Sequence, residues 1–138
     1  MANLSTSPFQ DFRVLVADDD RHMLDLVCRL LREIGVGTIE AASNGLSAIE
    51  KLEAGQFDLV ISDWTMAPVN GLDLLEHIRD DSRWADLPFV MLTGKGDLDC
   101  VNAAKSAGVS GFLLKPFRLA DLKRQLERSL LSSTDRER

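Results

Sequence analysis

Short apolar runs alternate with longer amphipathic stretches five times along this chain, and that alternation narrows the fold more than any other feature. The runs Arg13–Ala17, Thr38–Ala42, Phe57–Ser62, Phe89–Leu92 and Ser110–Leu114 have the length and composition of strands. After each comes a stretch with apolar residues three and four apart, the spacing of a helix with one buried face. The first helix is expected over Asp20–Ile34. The second spans Gly45–Glu53 with Leu46, Ile49 and Leu52 inward, and the third spans Leu72–Asp80 with Leu72, Leu75, Ile78 and Arg79 on the inner side. Pro88 opens the fourth strand, because the residue before a proline avoids the helical region. Asp97 can cap a fourth helix reaching Ala107, which Gly108 ends by accepting a left-handed backbone. The fifth helix, Leu119–Leu131, repeats Leu119, Leu122, Leu126 and Leu130. Five strands alternating with five helices predict an α/β protein whose parallel sheet is covered on both faces.

With 138 residues, 45% of them apolar, the chain can fill one continuous core, so one domain is expected over residues 12–131. Residues 1–11 are expected to form a flexible N-terminal segment and residues 132–138 a polar tail. The net charge of −6 and scattered basic residues argue against a nucleic-acid partner. No apolar run reaches the roughly 18 residues that span a bilayer, and no signal-peptide pattern precedes Gln10, so a cytoplasmic protein is expected. Cys28 and Cys100 lack metal or redox spacing and read as small buried thiols. His22 and His77 are isolated on helical patterns and are not expected to carry phosphate or metal.

In open parallel α/β sheets, ligands bind beyond the carboxyl ends of the strands. Those positions hold Asp18, Asp19 and Asp20 after the first strand and Asp63 after the third. Thr93 and Gly94 follow the fourth strand, and Lys115 and Pro116 the fifth. Two unit charges about 4 Å apart repel by about 4 kcal/mol at an effective dielectric of about 20, so the carboxylates call for a cation. A few hard oxygen ligands suit Mg²⁺, with Mn²⁺ as a substitute. With the metal held by Asp18, Asp19 and one oxygen of Asp63, the other oxygen of Asp63 is free to attack phosphorus. Lys115 then supplies charge for the phosphoryl oxygens and Thr93 a hydroxyl hydrogen bond. Singly, Asp20 reads as a helix cap and Lys115-Pro116 as a turn, but caps and turns predict neither a lysine nor a threonine opposite the acids.

These residues resemble the receiver domain of two-component response regulators, and within it the single-domain chemotaxis (CheY-like) type. The resemblance runs from about Phe12 to Leu131. It rests on the apolar strand before Asp18-Asp19, on Ile61–Met66, on the Met-Leu-Thr-Gly run ending at Gly94, and on Phe112–Phe117. The intervals Asp19 to Asp63 (44), Asp63 to Thr93 (30) and Thr93 to Lys115 (22) are also similar to that family's. It implies a doubly wound (βα)5 sheet of strand order 2-1-3-4-5, a flavodoxin-like three-layer sandwich. Asp63 becomes the phosphoacceptor, Asp18 and Asp19 the acidic pair around Mg²⁺, and the backbone carbonyl of Thr65 a further metal ligand. Thr93 and Phe112 become the switch pair, Lys115 the phosphoryl contact, and Lys115-Pro116 a cis bond. Pro68 stands one place later than in the common pattern of that loop, Gly94 replaces a more frequent alanine, and Lys95 and Thr65 flank the acceptor site.

The family implies a donor phosphohistidine on a sensor histidine kinase or a histidine phosphotransfer protein, and a downstream target protein. The expected readout face combines the fourth helix, fifth strand and fifth helix, including Val101, Lys105 and Lys123. The chain is expected to act as a monomer and to catalyse only its own phosphorylation and autodephosphorylation. Too few residues follow the last helix for an output module, so output is expected through another protein. A relay that passes the phosphoryl group to a second histidine stays open, as does a scaffold or inhibitor of a kinase. A haloacid-dehalogenase-type phosphatase would place its nucleophile after the first strand. A flavin module would need hydroxyls and glycines where Asp18–Asp20 stand.

Overall fold

The computed structural model describes residues 7–94 and 98–131. In chain order its elements are β1 (Arg13–Ala17), α1 (Arg21–Ile34), β2 (Thr38–Ala42), α2 (Gly45–Ala54), β3 (Leu59–Asp63) and α3 (Gly71–Asp80). They continue with β4 (Phe89–Thr93), α4 (Leu98–Ser106), β5 (Gly111–Leu114) and α5 (Leu119–Leu126), the last running into a π-helical turn, Glu127–Leu131. The five strands pair in parallel in the order β2-β1-β3-β4-β5, the doubly wound arrangement expected. No helix among the described residues is long and apolar enough to cross a membrane.

Strand pleating divides the core in two. Val14, Val16, Leu59, Ile61, Val90, Leu92 and Leu113 face α1 and α5, which contribute Val27, Cys28, Leu31, Leu122 and Leu126. Leu15, Ala17, Val60, Phe89 and Met91 face the opposite way, toward Ala48 and Leu52 of α2, Leu74, Leu75 and Ile78 of α3, and Ala104 of α4. Since both faces are covered, β1, β3 and β4 are buried almost throughout, which is why their sequences read as unbroken apolar runs.

Helix ends follow local chemistry. The Asp20 carboxylate accepts from the backbone amides of His22 and Met23, capping α1. At its far end Gly35, at φ 107°, directs its own amide and that of Val36 back to Leu31 and Arg32. Asn70 and Asp73 form a reciprocal capping box at the start of α3.

Several expectations are corrected. The third strand is displaced toward the carboxyl end. Asp58 is tied to Arg13 just before the strand, its carboxylate accepting from the Arg13 amide and its own amide donating to the Arg13 carbonyl, both at 2.8 Å, and the strand runs from Leu59 through Asp63, opposite Leu92. On α2 the inner positions are Gly45, Ala48 and Leu52, with Ile49 partly buried, while Leu46 is 49% exposed. The first turn of α2 lies so close to Val69 that a Cβ on Gly45 would stand 2.6 Å from the Val69 carbonyl oxygen, which sets the helix rotation. On α3, Leu74 joins Leu75 and Ile78 as the buried face, with Leu72 and Arg79 at its margin. Leu119, at the first position of α5, is exposed. Cys28 is buried, but Cys100 is only half-buried.

Part of the segment expected to be loose is packed. Phe9 is 1% exposed and sits in the α1–α5 core, 6.4 Å from Phe12. Ser7 donates its hydroxyl to the Ile34 carbonyl, and the amides of Gly37 and Thr38 donate to Phe9 and Phe12. An aromatic three residues before the domain was enough to recruit these residues as a plug under the sheet. The polar tail 132–138, the Asp97 cap and Lys95 lie outside the described residues.

Candidate functional site

The carboxyl ends of β1, β3, β4 and β5 meet at one edge of the sheet. Register brings them level, with Ala17 beside Ser62, Asp63 beside Leu92, and Thr93 beside Leu114. The Trp64 amide donates to the Leu92 carbonyl and the Lys115 amide to the Thr93 carbonyl at 2.7 Å, so residues just past each strand stay tied to the neighbouring one.

Asp18, Asp19 and Asp63 each bring a carboxylate oxygen within 4.8 Å of the others. Asp18 and Asp63 are buried, and Asp19 is open to solvent. Lys115 places its ammonium 2.5 Å from Asp63 Oδ1, and the Thr65 amide donates to Asp63 Oδ2 at 3.2 Å. Asp18 Oδ1 accepts from the Asp20 amide, but Asp18 Oδ2 is buried with no hydrogen-bond partner. An orphaned buried carboxylate oxygen beside two more carboxylates and the Lys115 ammonium is a donor set that a hard divalent cation completes. Burial is the main reason the Asp18 carboxyl is pushed up to about 6. The Asp20 amide opposes the rise, the Asp63 charge adds to it, and Lys115 partly offsets it.

The other sequence-derived residues fall around this group. Thr93 is buried at the end of β4, one strand from Asp63. Thr65 is exposed in the loop after Asp63. Phe112 is half-buried against the cluster on the α2–α3–α4 side, beside Met91 in the ladder. Val101 is half-buried on α4, with Lys105 and Lys123 exposed on α4 and α5. Lys115-Pro116 is cis as expected, and Ala67-Pro68 is cis as well.

Sequence reasoning missed the residues that hold the loop after Asp63. Gly71 donates its amide to the Trp64 carbonyl at 2.8 Å, and a Cβ there would run into the Asp63 carbonyl oxygen. Met66 folds back into the core, and Val69 packs on Gly45. A glycine directly after the cap residue Asn70, where capping needs none, was the available signal for the close approach.

Comparison with known proteins is consistent with this geometry. The family model of the response regulator receiver domain matches residues 14–127. The chain is 37% identical over 119 residues to chemotaxis protein CheY-3 of Vibrio cholerae, covering 86% of this chain and 92% of that protein. It is 35% identical over 116 residues to chemotaxis protein CheY of Pseudomonas aeruginosa, covering 84% and 94%. Among solved structures, chemotaxis response regulator CheY4 of Vibrio cholerae superimposes with a TM-score of 0.80 at 30% identity, over 86% of this chain and 98% of that one.

Proposed function

Because the chain belongs to the response regulator receiver family, we propose that it accepts a phosphoryl group on Asp63 from a phosphohistidine and relays the change to a protein partner. The observation that carries this reading is the pairing of a buried, lysine-contacted Asp63 with the orphaned oxygen of Asp18. Asp18, Asp19, Asp63 and the carbonyl of Thr65 would hold Mg²⁺, which when bound offsets the carboxylate repulsion and neutralises charge on phosphoryl oxygens.

In the transfer, a carboxylate oxygen of Asp63 forms a bond to phosphorus as the phosphorus–nitrogen bond of the donor breaks and the imidazole leaves. Lys115, which in the resting chain neutralises Asp63, turns to the incoming phosphoryl oxygens and keeps its charge paired throughout. The Thr93 hydroxyl donates to the same group. The phosphoryl group carries roughly −1.5 to −2 charges where the Asp63 carboxylate carried one, and its added oxygens give Thr93 a partner and bias the loop after β4. Phe112, held half-buried against the α4 side, fills the volume Thr93 leaves and remodels the face of α4, β5 and α5. A sensor histidine kinase or histidine phosphotransfer protein supplies the phosphoryl group.

Trp64 follows the acceptor and is partly buried, so its fluorescence tests the reading. In a Trp84→Phe background, Mg²⁺ is expected to change the emission and acetyl phosphate to change it again. A Trp64 signal indifferent to both, with metal and donor in excess, would sink the assignment.

A further inference from the structure

The geometry points to Arg79 as a positioning residue that pins the C-terminal end of α4 to α3 and to the loop before β4, making this end the fulcrum about which the helix turns. The inference rests on the phosphoacceptor reading for its trigger, but the pin itself belongs to the resting chain.

Arg79 lies in the last turn of α3 and extends its half-buried side chain across two loops. Its Nε donates to the Gly108 carbonyl at 2.9 Å, and its Nη1 donates to the carbonyls of Leu87 at 2.7 Å and Trp84 at 3.3 Å. Burial pulls the guanidinium pKa down, with only the longer-range charge of Asp86 opposing it. Backbone carbonyls thus solvate this cation, and they come from the α3–β4 loop and from the turn that ends α4. A planar fork of donors spans both segments at once, which a single ammonium does not do.

Gly108 is the residue on which α4 ends. It has φ 93°, its amide donates to Lys105, and the Val109 amide donates to Ala104, closing a Schellman motif. A Cβ on Gly108 would stand 3.2 Å from Arg79 Nε, so the contact is close as well as polar. Two residues on, the Ser110 amide donates to the Phe89 carbonyl, and the Ser110 hydroxyl accepts from the Phe89 amide. The C-terminal end of α4 is therefore fastened to α3 through Arg79 and to β4 through Ser110.

Among the described side chains of α4, the one fully buried lies toward the same end. Ala104 is the fully buried side chain among those described on this helix, and Val101 and Cys100, nearer its start, are half-buried. Leu98, where α4 begins, follows Thr93 by five residues. With this end pinned by Arg79, a displacement of Thr93 toward a phosphoryl group moves the start of α4 by rotation about Gly108.

Amide hydrogen exchange on the full chain, resolved residue by residue, tests this with and without Mg²⁺ plus beryllofluoride. In the wild type, beryllofluoride is expected to alter exchange at Asp99–Asn102 and to leave Ala107, Gly108 and Val109 within about threefold of their resting rates. Arg79→Lys keeps the charge, and Arg79→Met keeps the stem. Either is expected to speed exchange at Ala107–Val109 by about tenfold or more, with β1 and β3 within about twofold of wild type. Unchanged rates at Ala107–Val109 in both variants overturn the pin. So does acceleration shared equally by β1 and β3, or a wild-type beryllofluoride response largest at Ala107–Val109. Beryllofluoride that alters no amide, with the Arg79→Lys acceleration intact, upholds the pin and overturns the phosphoacceptor reading.

Discussion

Asp18 is fully buried, and its carboxyl is pushed from 3.8 up to about 6, mainly by burial and further by the charge of Asp63. The folded chain therefore holds this proton more tightly than the unfolded chain does. In the absence of divalent metal, its contribution to stability declines as pH rises from about 4 to about 6, and the full penalty is present above 6. A rise of that size corresponds to about 3 kcal/mol, a ceiling for what an uncharged replacement recovers. Asp18→Asn is expected to stabilise the metal-free protein at pH 7 by about 1–3 kcal/mol and to flatten this pH dependence, read by urea denaturation. In the wild type, Mg²⁺ is expected to bind more weakly below pH 6, as protons compete for the same oxygen. A metal-free Asp18→Asn variant less stable than wild type at pH 7 would contradict this picture of the site. The acids, threonine and lysine were legible in the sequence because each directly follows an apolar run. Gly71, Val69 and Arg79 were not, because a close backbone approach or a side chain reaching carbonyls in two loops leaves no periodic trace.

At the scale of elements, the helix and strand count and the parallel sheet follow from alternation, and the strand order from the family resemblance, whereas helix rotation depends on contacts remote in sequence. Leu46 fits the period of α2 as well as Ala48 does. The tight passage of Gly45 against Val69 turns Ala48 inward and leaves Leu46 in solvent. The start of β3 likewise depends on Asp58 bonding the Arg13 amide, a pairing across 45 residues. The segment before β1 shows the same limit, since a lone Phe9 among polar residues carries no pattern that marks it as core. Buried against Leu31, Val36 and their neighbours, it should behave as one. Phe9→Ala is expected to cost about 3–5 kcal/mol in urea denaturation, against about 0.5 kcal/mol or less for the exposed Leu46→Ala. Equal effects from the two substitutions would show that the segment does not belong to the core.

For the whole molecule, a parallel sheet directs every strand's carboxyl end to one edge, so four separate stretches of sequence deliver their polar residues to one place. That is why the site was readable before the fold: the residues after each run are brought together by topology, whatever the helices do in detail. The same arrangement connects the site to the rest of the chain. Lys115 follows β5 directly, Thr93 closes β4, and α4 lies between them in sequence, seated by Ala104 and held at its end by Arg79. Every later step of the proposed relay depends on Asp63 being the acceptor. The most direct test is to incubate the full chain with Mg²⁺ and acetyl phosphate and to locate the adduct by mass spectrometry of its peptides. One phosphoryl group on Asp63, labile to hydroxylamine, not formed when the metal is chelated before the donor is added and absent from Asp63→Asn, is the predicted result. A phosphoryl group that persists in Asp63→Asn at the wild-type level, or a wild-type chain that takes none with metal and donor in excess, would contradict it.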